Sequence, residues 1–516
     1  MLLRTLVVLL VVLLGQSSIV AQVTLNQVVI SGTPAPGADD GALFRGFLFS
    51  PSINSSGDVA FAAQLRSGTG GTVDINNEFA IFGPTSGVGS PLGLIARENS
   101  PAPGVVDGAE FQFFFPPVIN EGGEVAFHGR LRTGTGAPVV TSGGNRNDNA
   151  IFGPTSESQL GLIARENTPA PGVNDGALFS GTGSPSLNAS GDVAFVAFLR
   201  TGSGPPIVFD SFDDDGNGGA IFGTTSGAGS PLELIVRENT PAPGVDDGAE
   251  FAEISSPSLN ASGDVAFLSL LRTGTGDDLN FSGNDSNHAG IFGPISGAGS
   301  PLGLIVREND PAPGANDGAE FSFFDSPTLN ASGDVAFSAS LRTGTGDAVD
   351  FSNDEGVFGP LSGAGSPLGL IARENDLAPG VDDGAEFRSF DNPSINALGD
   401  VAFRALLREE SGDSLNTSID RAIFAYIDGE LELVVREGDQ ITVTLPGGFG
   451  TQERTVSAVD FGLSDTGTLA LNLSFTNGTA GIFTAVVDSD FTAVPEPGSL
   501  ALLSLISVGV IVRRRK

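Results

Sequence analysis

Short apolar runs alternate along the chain with stretches rich in glycine, asparagine and proline, and the order of the runs recurs. The frame Ser50-Pro-Ser-Ile-Asn54-Ser-Ser-Gly57-Asp-Val-Ala-Phe61 returns at Asn120, Asn188, Asn260, Asn330 and Asn396. A degraded seventh copy runs from Leu463 to Leu471. The spacings are 66, 68, 72, 70, 66 and 68 residues, long enough for a unit of several strands. Within a unit Asn-x-x-Gly predicts a turn, because asparagine closes a side-chain hydrogen bond and glycine accepts positive φ. Val-Ala-Phe with its apolar continuation predicts a strand buried on both faces. A Gly/Asp-rich loop follows, then Ala80-Ile81-Phe82, then Leu92-Gly-Leu-Ile-Ala-Arg97-Glu98. Pro-Ala-Pro-Gly at 101–104 predicts a corner, and Asp107-Gly-Ala-Glu-Phe111 opens a fourth strand. No helical period is sustained anywhere, so helix content is expected to be very low.

Four strands per repeat predict a propeller blade, and the phase of the ends sharpens this. The Ile-Phe strand occurs seven times, the Leu-Ile-x-Arg-Glu strand only six, and the repeats stop just after the seventh Ile-Phe. The missing half-unit stands at the N-terminus, as Leu25–Ile30, Thr33-Pro-Ala-Pro-Gly37 and Asp40-Gly-Ala-Leu-Phe44. An open solenoid has no use for such an offset. A closed ring does, because N-terminal strands completing the last blade remove both sheet edges. The expectation is therefore all-β: a seven-bladed β-propeller spanning residues 22–490. A string of small β-sandwiches would start and stop in phase.

The repeats resemble the NxxGxxAF tandem-repeat proteins, on Asn54, Gly57, Ala60, Phe61 and their copies. More distantly, the Ser-Pro-x-x-Asn-x-x-Gly strand is similar to those of TolB- and WD-type propellers. The resemblance implies architecture and address and supplies no catalytic residue.

The two ends read as addresses. Residues 1–21 have the form of a secretory signal peptide, with Arg4, an apolar core from Leu6 to Leu14 and a cleavage point after Ala21. At the other end, residues 491–516 place Pro495, Glu496 and Pro497 before an uncharged run at about 499–512 and a basic end, Arg513 to Lys516. That run covers about 21 Å as a helix, short of the roughly 30 Å hydrocarbon core of a bilayer. The basic end predicts a cytoplasmic tail with the repeats outside. This three-part tail resembles the PEP-CTERM sorting signal of Gram-negative bacteria. The resemblance implies processing by the membrane enzyme exosortase, a transient inner-membrane anchor, and delivery to the cell surface or extracellular matrix.

Composition narrows the chemistry. With 61 acidic against 24 basic residues the formal charge is −37, the wrong sign for a nucleic-acid binder. Absence of cysteine excludes disulfides, thiolate metal sites and a cysteine nucleophile. Thirty-seven phenylalanines indicate a packed core. The two histidines are His128 and His288; His128 alternates with Arg130 and Arg132 on one strand, either an anion subsite or a drifted blade surface. Twelve arginines recur blade by blade, and pairing with repeat carboxylates such as Asp58 or Glu98 is expected. The loop between the first two strands of the unit varies from 14 residues between Arg66 and Ile81 to 20 between Arg200 and Ile221, which makes it the expected recognition surface. One such loop carries Asp213, Asp215 and Asn217 at calcium-loop spacing, although Thr224 stands where the distal glutamate belongs. The leading expectation is a non-enzymatic exported surface or matrix protein that binds polysaccharide or protein through its loops, with calcium as a candidate bridge. The alternative is a secreted propeller hydrolase or lyase acting on polysaccharide.

Overall fold

The computed structural model describes residues 23–487, apart from residues 39, 70, 208–216, 225, 275–278, 281–285, 345–348, 382 and 409–419. Blade 1 is an antiparallel sheet of four strands in chain order, Leu43–Ile53, Val59–Arg66, Phe79–Pro84 and Leu92–Arg97. Blades 2 to 6 repeat it, with the first strand broken in two, as at Glu110–Phe114 and Val118–Ile119. Pro116 and Pro117, which have no N–H for the ladder, stand at the break, whereas in blade 1 the strand runs on through Pro51 with a shift of register between Leu48 and Ser52. The first strands of successive blades touch one another all the way round, and Thr451–Leu463 of blade 7 touches Leu43–Ile53 of blade 1. They are the inner strands of a closed seven-bladed propeller. The helical element among the described residues is a single 3-10 turn, Pro446–Gly448.

Closure follows the phase of the sequence. Blade 7 comprises Thr451–Leu463, Thr468–Phe475 and Ala480–Val487, completed by the N-terminal strand Val23–Ile30. The register runs from Val23↔Val487 to Ile30↔Gly481. Only this first N-terminal segment enters blade 7. The chain turns at the Pro-Ala-Pro-Gly corner, and Leu43–Ile53 opens blade 1, so the corner is the boundary between blades.

Val-Ala-Phe recurs because each blade has one aromatic and one small-residue face. Alternate residues of a strand point to opposite faces, so Phe61 joins Phe44 and Phe82 on one side while Ala60 and Ala62 point to the other. Phe44 and Phe82 meet edge to face at 4.8 Å, and Phe61 stacks on Phe82 at 5.8 Å. The same trio in blade 2, Phe111, Phe127 and Phe152, packs against Ala60, Ala62, Ile81 and Ala96 of blade 1. Aromatic bulk on one blade fills the space left by small residues on the next. Each such buried phenylalanine contributes roughly 1.5–3 kcal/mol.

The Asn-x-x-Gly turn fastens blades as well as strands. In blade 2 Asn120 Oδ1 accepts the Glu124 N–H at 2.9 Å, and its Nδ2 donates to the Asn188 carbonyl of blade 3 at 3.0 Å. Asn54 reaches Asn120, and Asn188 reaches Asn260, in the same way. Gly123 closes the turn with φ +76°, where a Cβ would lie 2.4 Å from the Val88 nitrogen of the neighbouring blade. Asn120→Ala removes an amide that is 4 % exposed and leaves buried backbone groups unpaired. A loss of about 1–3 kcal/mol is expected, read as a lowered thermal midpoint with the β-sheet circular dichroism retained.

Candidate functional site

Most of the recurring charge is consumed in holding blades together. Arg97, Arg165, Arg237, Arg307, Arg373 and Arg436 of the outer strands pair with Asp40, Asp107, Asp175, Asp247, Asp317 and Asp383 at 2.6–2.8 Å. These aspartates stand in the corner entering the same blade, not at the expected Asp58 or Glu98. Adjacent strand residues point apart, so Glu98 turns away from Arg97 and accepts the Phe79 N–H at 2.9 Å. Asp58 is taken by the Gly89 N–H at 2.7 Å. The second arginine set bridges blades: Arg408 of blade 6 donates to the Ser352 carbonyl and Asn375 Oδ1 of blade 5 at 2.9 and 2.8 Å, and it pairs at 3.3 Å with Glu374, the blade 5 copy of Glu98, as expected for that type of carboxylate.

Near the axis the repeat loses its symmetry. In blades 2 to 6 the residue ending the first half of the inner strand donates its N–H to the carbonyl of the residue after Val-Ala-Phe. The pairs are Phe115 with His128, Gly183 with Val196, Ser255 with Leu268, Asp325 with Ser338 and Asp391 with Arg404. The register places Asp460 opposite Asn472 in blade 7 and Leu48 opposite Ala62 in blade 1. Blades 1 to 4 therefore hold mainly apolar or small residues at these two positions. Blades 5 to 7 hold Asp325, Asp391, Asp460, Ser338, Arg404 and Asn472.

Four of these, Asp325, Asp391, Arg404 and Asp460, border a cavity of about 500 Å³ between blades 5, 6, 7 and 1, whose lining also includes Ser50, Phe390, Asn392 and Phe461. Among the described lining residues Arg404 is the one cation. Its Nε donates to Asp391, and its guanidinium donates to the Val459 carbonyl at 3.1 Å and lies 3.6 Å from Asp460. Ser50 donates to Asp460 at 2.7 Å and Ser338 to Asp325 at 2.7 Å. Behind them Glu355 accepts the Phe390 N–H at 3.3 Å. Burial, then the negative charges of Asp354, Asp325 and Asp391, push its carboxyl above the ordinary range. The arrangement can accept several hydrogen bonds, offer an aromatic surface and favour positive charge.

The residues singled out in the sequence fall elsewhere. His128 stacks on the Phe115 ring at 4.4 Å and bonds Asn149 through Nε2 at 3.0 Å. Buried and neutral, it offers no anion subsite; Arg130 lies over the same Phe115 ring at 5.9 Å, and Arg132 turns to the Asn76 carbonyl at 3.0 Å. His288 is 3.1 Å from Glu308. Asp213 and Asp215 of the calcium-loop motif lie outside the described residues, as do the sorting residues Pro495, Glu496 and Pro497 and the apolar run at 499–512. Asn217 is described, and its carbonyl accepts from Arg237 Nε at 3.0 Å. Among the described residues no group of three His, Asp or Glu side chains is placed to hold a metal ion, and no helix is long and apolar enough to cross a membrane. The axial residues were missed because each looks like surface drift when its blade is read alone. Comparing the residue after Val-Ala-Phe across all copies would have exposed them.

Stability should depend on pH through two opposed sets. Burial, then Asp354 beside Glu374 and Asp420 beside Glu437, raises both glutamates to about 7. Their contribution is full below their ordinary value of 4.5 and is lost as pH rises through 7. Burial lowers His128 from 6.5 to about 4, so its contribution is present above 6.5 and lost as pH falls to 4. Thermal midpoints between pH 4 and 8 should show the gap between wild type and His128→Phe narrowing below 6.5. They should show the double variant Glu374→Gln, Glu437→Gln, which stays neutral at every pH, gaining on the wild type as pH rises from 4.5 through 7. Parallel curves would mean that these groups ionise freely in the fold.

No curated protein matches the sequence. Several solved structures align with much of the chain at low similarity. A sialidase from Trypanosoma rangeli, solved with the inhibitor DANA, is 9 % identical with a TM-score of 0.31; the match covers 95 % of this chain and spans 62 % of the sialidase. A polysaccharide lyase acting as an ulvan lyase is 10 % identical, TM-score 0.31, over 90 % of this chain and 94 % of the lyase. A protein from Lactobacillus plantarum is 11 % identical, TM-score 0.29, over 83 % of this chain and 99 % of that one. At these scores none of them bears on activity. With a family model matching residues 21–206 and 202–501, the chain belongs to DUF7453, a family of unknown function.

Proposed function

We propose that this propeller is an exported surface or matrix protein that binds polysaccharide at its axial cavity. The observation that carries the reading is the concentration of non-repeating polar residues around one cavity, in a chain whose turns, corners and core positions are nearly uniform. A repeat kept only for structure has no reason to place Asp325, Asp391, Arg404 and Asp460 on three successive blades. Pockets of roughly 300–1,000 Å³ that combine apolar walls with a few converging polar groups are the usual form of a ligand site. The address comes from the two ends: the N-terminal segment for export, and Pro495-Glu496-Pro497 with its apolar run for sorting by exosortase.

Two experiments test this. Purified protein should bind the producing cell's own extracellular polysaccharide saturably, and Arg404→Ala should weaken binding by about tenfold, or roughly 1.4 kcal/mol. Binding that does not saturate, or that is unmoved by the variant, would remove the cavity from the account. Repeating the titration with calcium, and with Asp213→Ala, reports whether the acidic loop contributes a calcium bridge. In the second experiment, replacing Pro495, Glu496 and Pro497 by alanine should leave the protein in the inner-membrane fraction, while the wild-type chain reaches the surface or medium. Equal fractionation of the two would end the sorting reading.

A second reading, a hydrolase or lyase on polysaccharide, is favoured by Glu355, whose raised pKa beside Asp325 and Asp391 is the kind of difference acid–base chemistry uses. It requires a fall in polymer viscosity that Glu355→Gln abolishes.

A further inference from the structure

We infer that the axial cavity takes a cationic saccharide unit, an amino sugar with a free ammonium group. The inference rests on the polysaccharide-binding reading and narrows it to one chemical class.

The charge balance of the lining is the starting point. Asp325, Asp391 and Asp460 face a single Arg404. Arg404 donates to Asp391 through Nε and pairs with Asp460 through its guanidinium at a longer 3.6 Å. Among the described residues Asp460 thus has only this longer ion pair and Asp325 has none, one on each side of the Arg404–Asp391 pair. Each is fixed by a hydroxyl, Asp460 by Ser50 from blade 1 and Asp325 by Ser338, itself 4 % exposed. A carboxylate has about four acceptor positions, so one serine leaves most of its capacity for a ligand.

The same geometry argues against other occupants. A uronate or sulfated unit would bring negative charge to a surplus of negative charge. A bare metal ion needs ligands converging on a point, and no described group of three acidic side chains does so. An apolar molecule would leave the carboxylates and Asn392 desolvated and unpaired. What fits is positive charge carried on a frame that also donates hydroxyls and presents a C–H face to the half-buried Phe461. A sugar with an ammonium substituent meets all three requirements.

The test uses the full-length protein and titrates four oligosaccharides of equal length, built from glucosamine, N-acetylglucosamine, glucose and galacturonate. The glucosamine oligomer should bind about tenfold or more tightly than the glucose oligomer, with the galacturonate oligomer weakest. Because the whole protein is strongly acidic, the control is Glu157→Gln, an exposed carboxylate on blade 2. It should keep the preference, whereas Asp460→Asn and Asp325→Asn, each checked for an unchanged thermal midpoint, should reduce it to about threefold or less. Equal binding of the glucosamine and N-acetylglucosamine oligomers, or an equal loss in Glu157→Gln, would overturn the inference and leave polysaccharide binding standing. Failure of every oligosaccharide and of the native polymer would overturn both.

Discussion

The packing of one blade's phenylalanines into the next blade's alanines constrains everything else in this protein. It fixes the residue type at alternate positions of the two central strands, because a larger residue at Ala60 or a smaller one at Phe127 would leave the faces mismatched. It also explains how a chain with no cysteine and no tryptophan builds a large closed ring. Phenylalanine supplies most of the bulk, with leucine taking over in blade 7 at Leu469, Leu471 and Leu473, and alanine, isoleucine and valine form the receiving surface. The polar fasteners are secondary in energy but decisive in register. The asparagine amides join neighbouring turns, and the corner aspartates hold the outer-strand arginines.

This division of labour explains what could be read from the sequence. The blade count, the turns and the closure of the ring were legible because each depends on local chemistry repeated many times: glycine for positive φ, asparagine for a bonded turn, proline for a break. The offset between seven Ile-Phe strands and six Leu-Ile strands had a direct structural meaning, which Val23–Ile30 beside Ala480–Val487 satisfies. Partners of individual charges were harder to read. Arg97 and Glu98 are neighbours in sequence but point to opposite sides of the strand, and Arg97 finds Asp40 some distance back along the chain.

The axial site was the least legible part, and the reason is physical. Its residues come from four blades and meet only after the ring has closed. No motif joins Asp325, Asp391 and Asp460, and in each repeat the aspartate looks like an ordinary polar substitution. His128, conspicuous because histidine is rare here, turned out to be a buried ring stacked on Phe115. Rarity marked a packing position, while common residues on successive blades formed the cavity.

The placement of Ala480–Val487 has a mechanical consequence. This strand is paired along its length on both sides, to Thr468–Phe475 and to Val23–Ile30. A pull along the strand at Val487, with the rest of the ring held, loads both ladders in shear, so many hydrogen bonds must yield together. A hairpin pulled from its open end would unzip one bond at a time. A propeller pulled through this strand would resist the load as a closed ring instead of peeling open blade by blade.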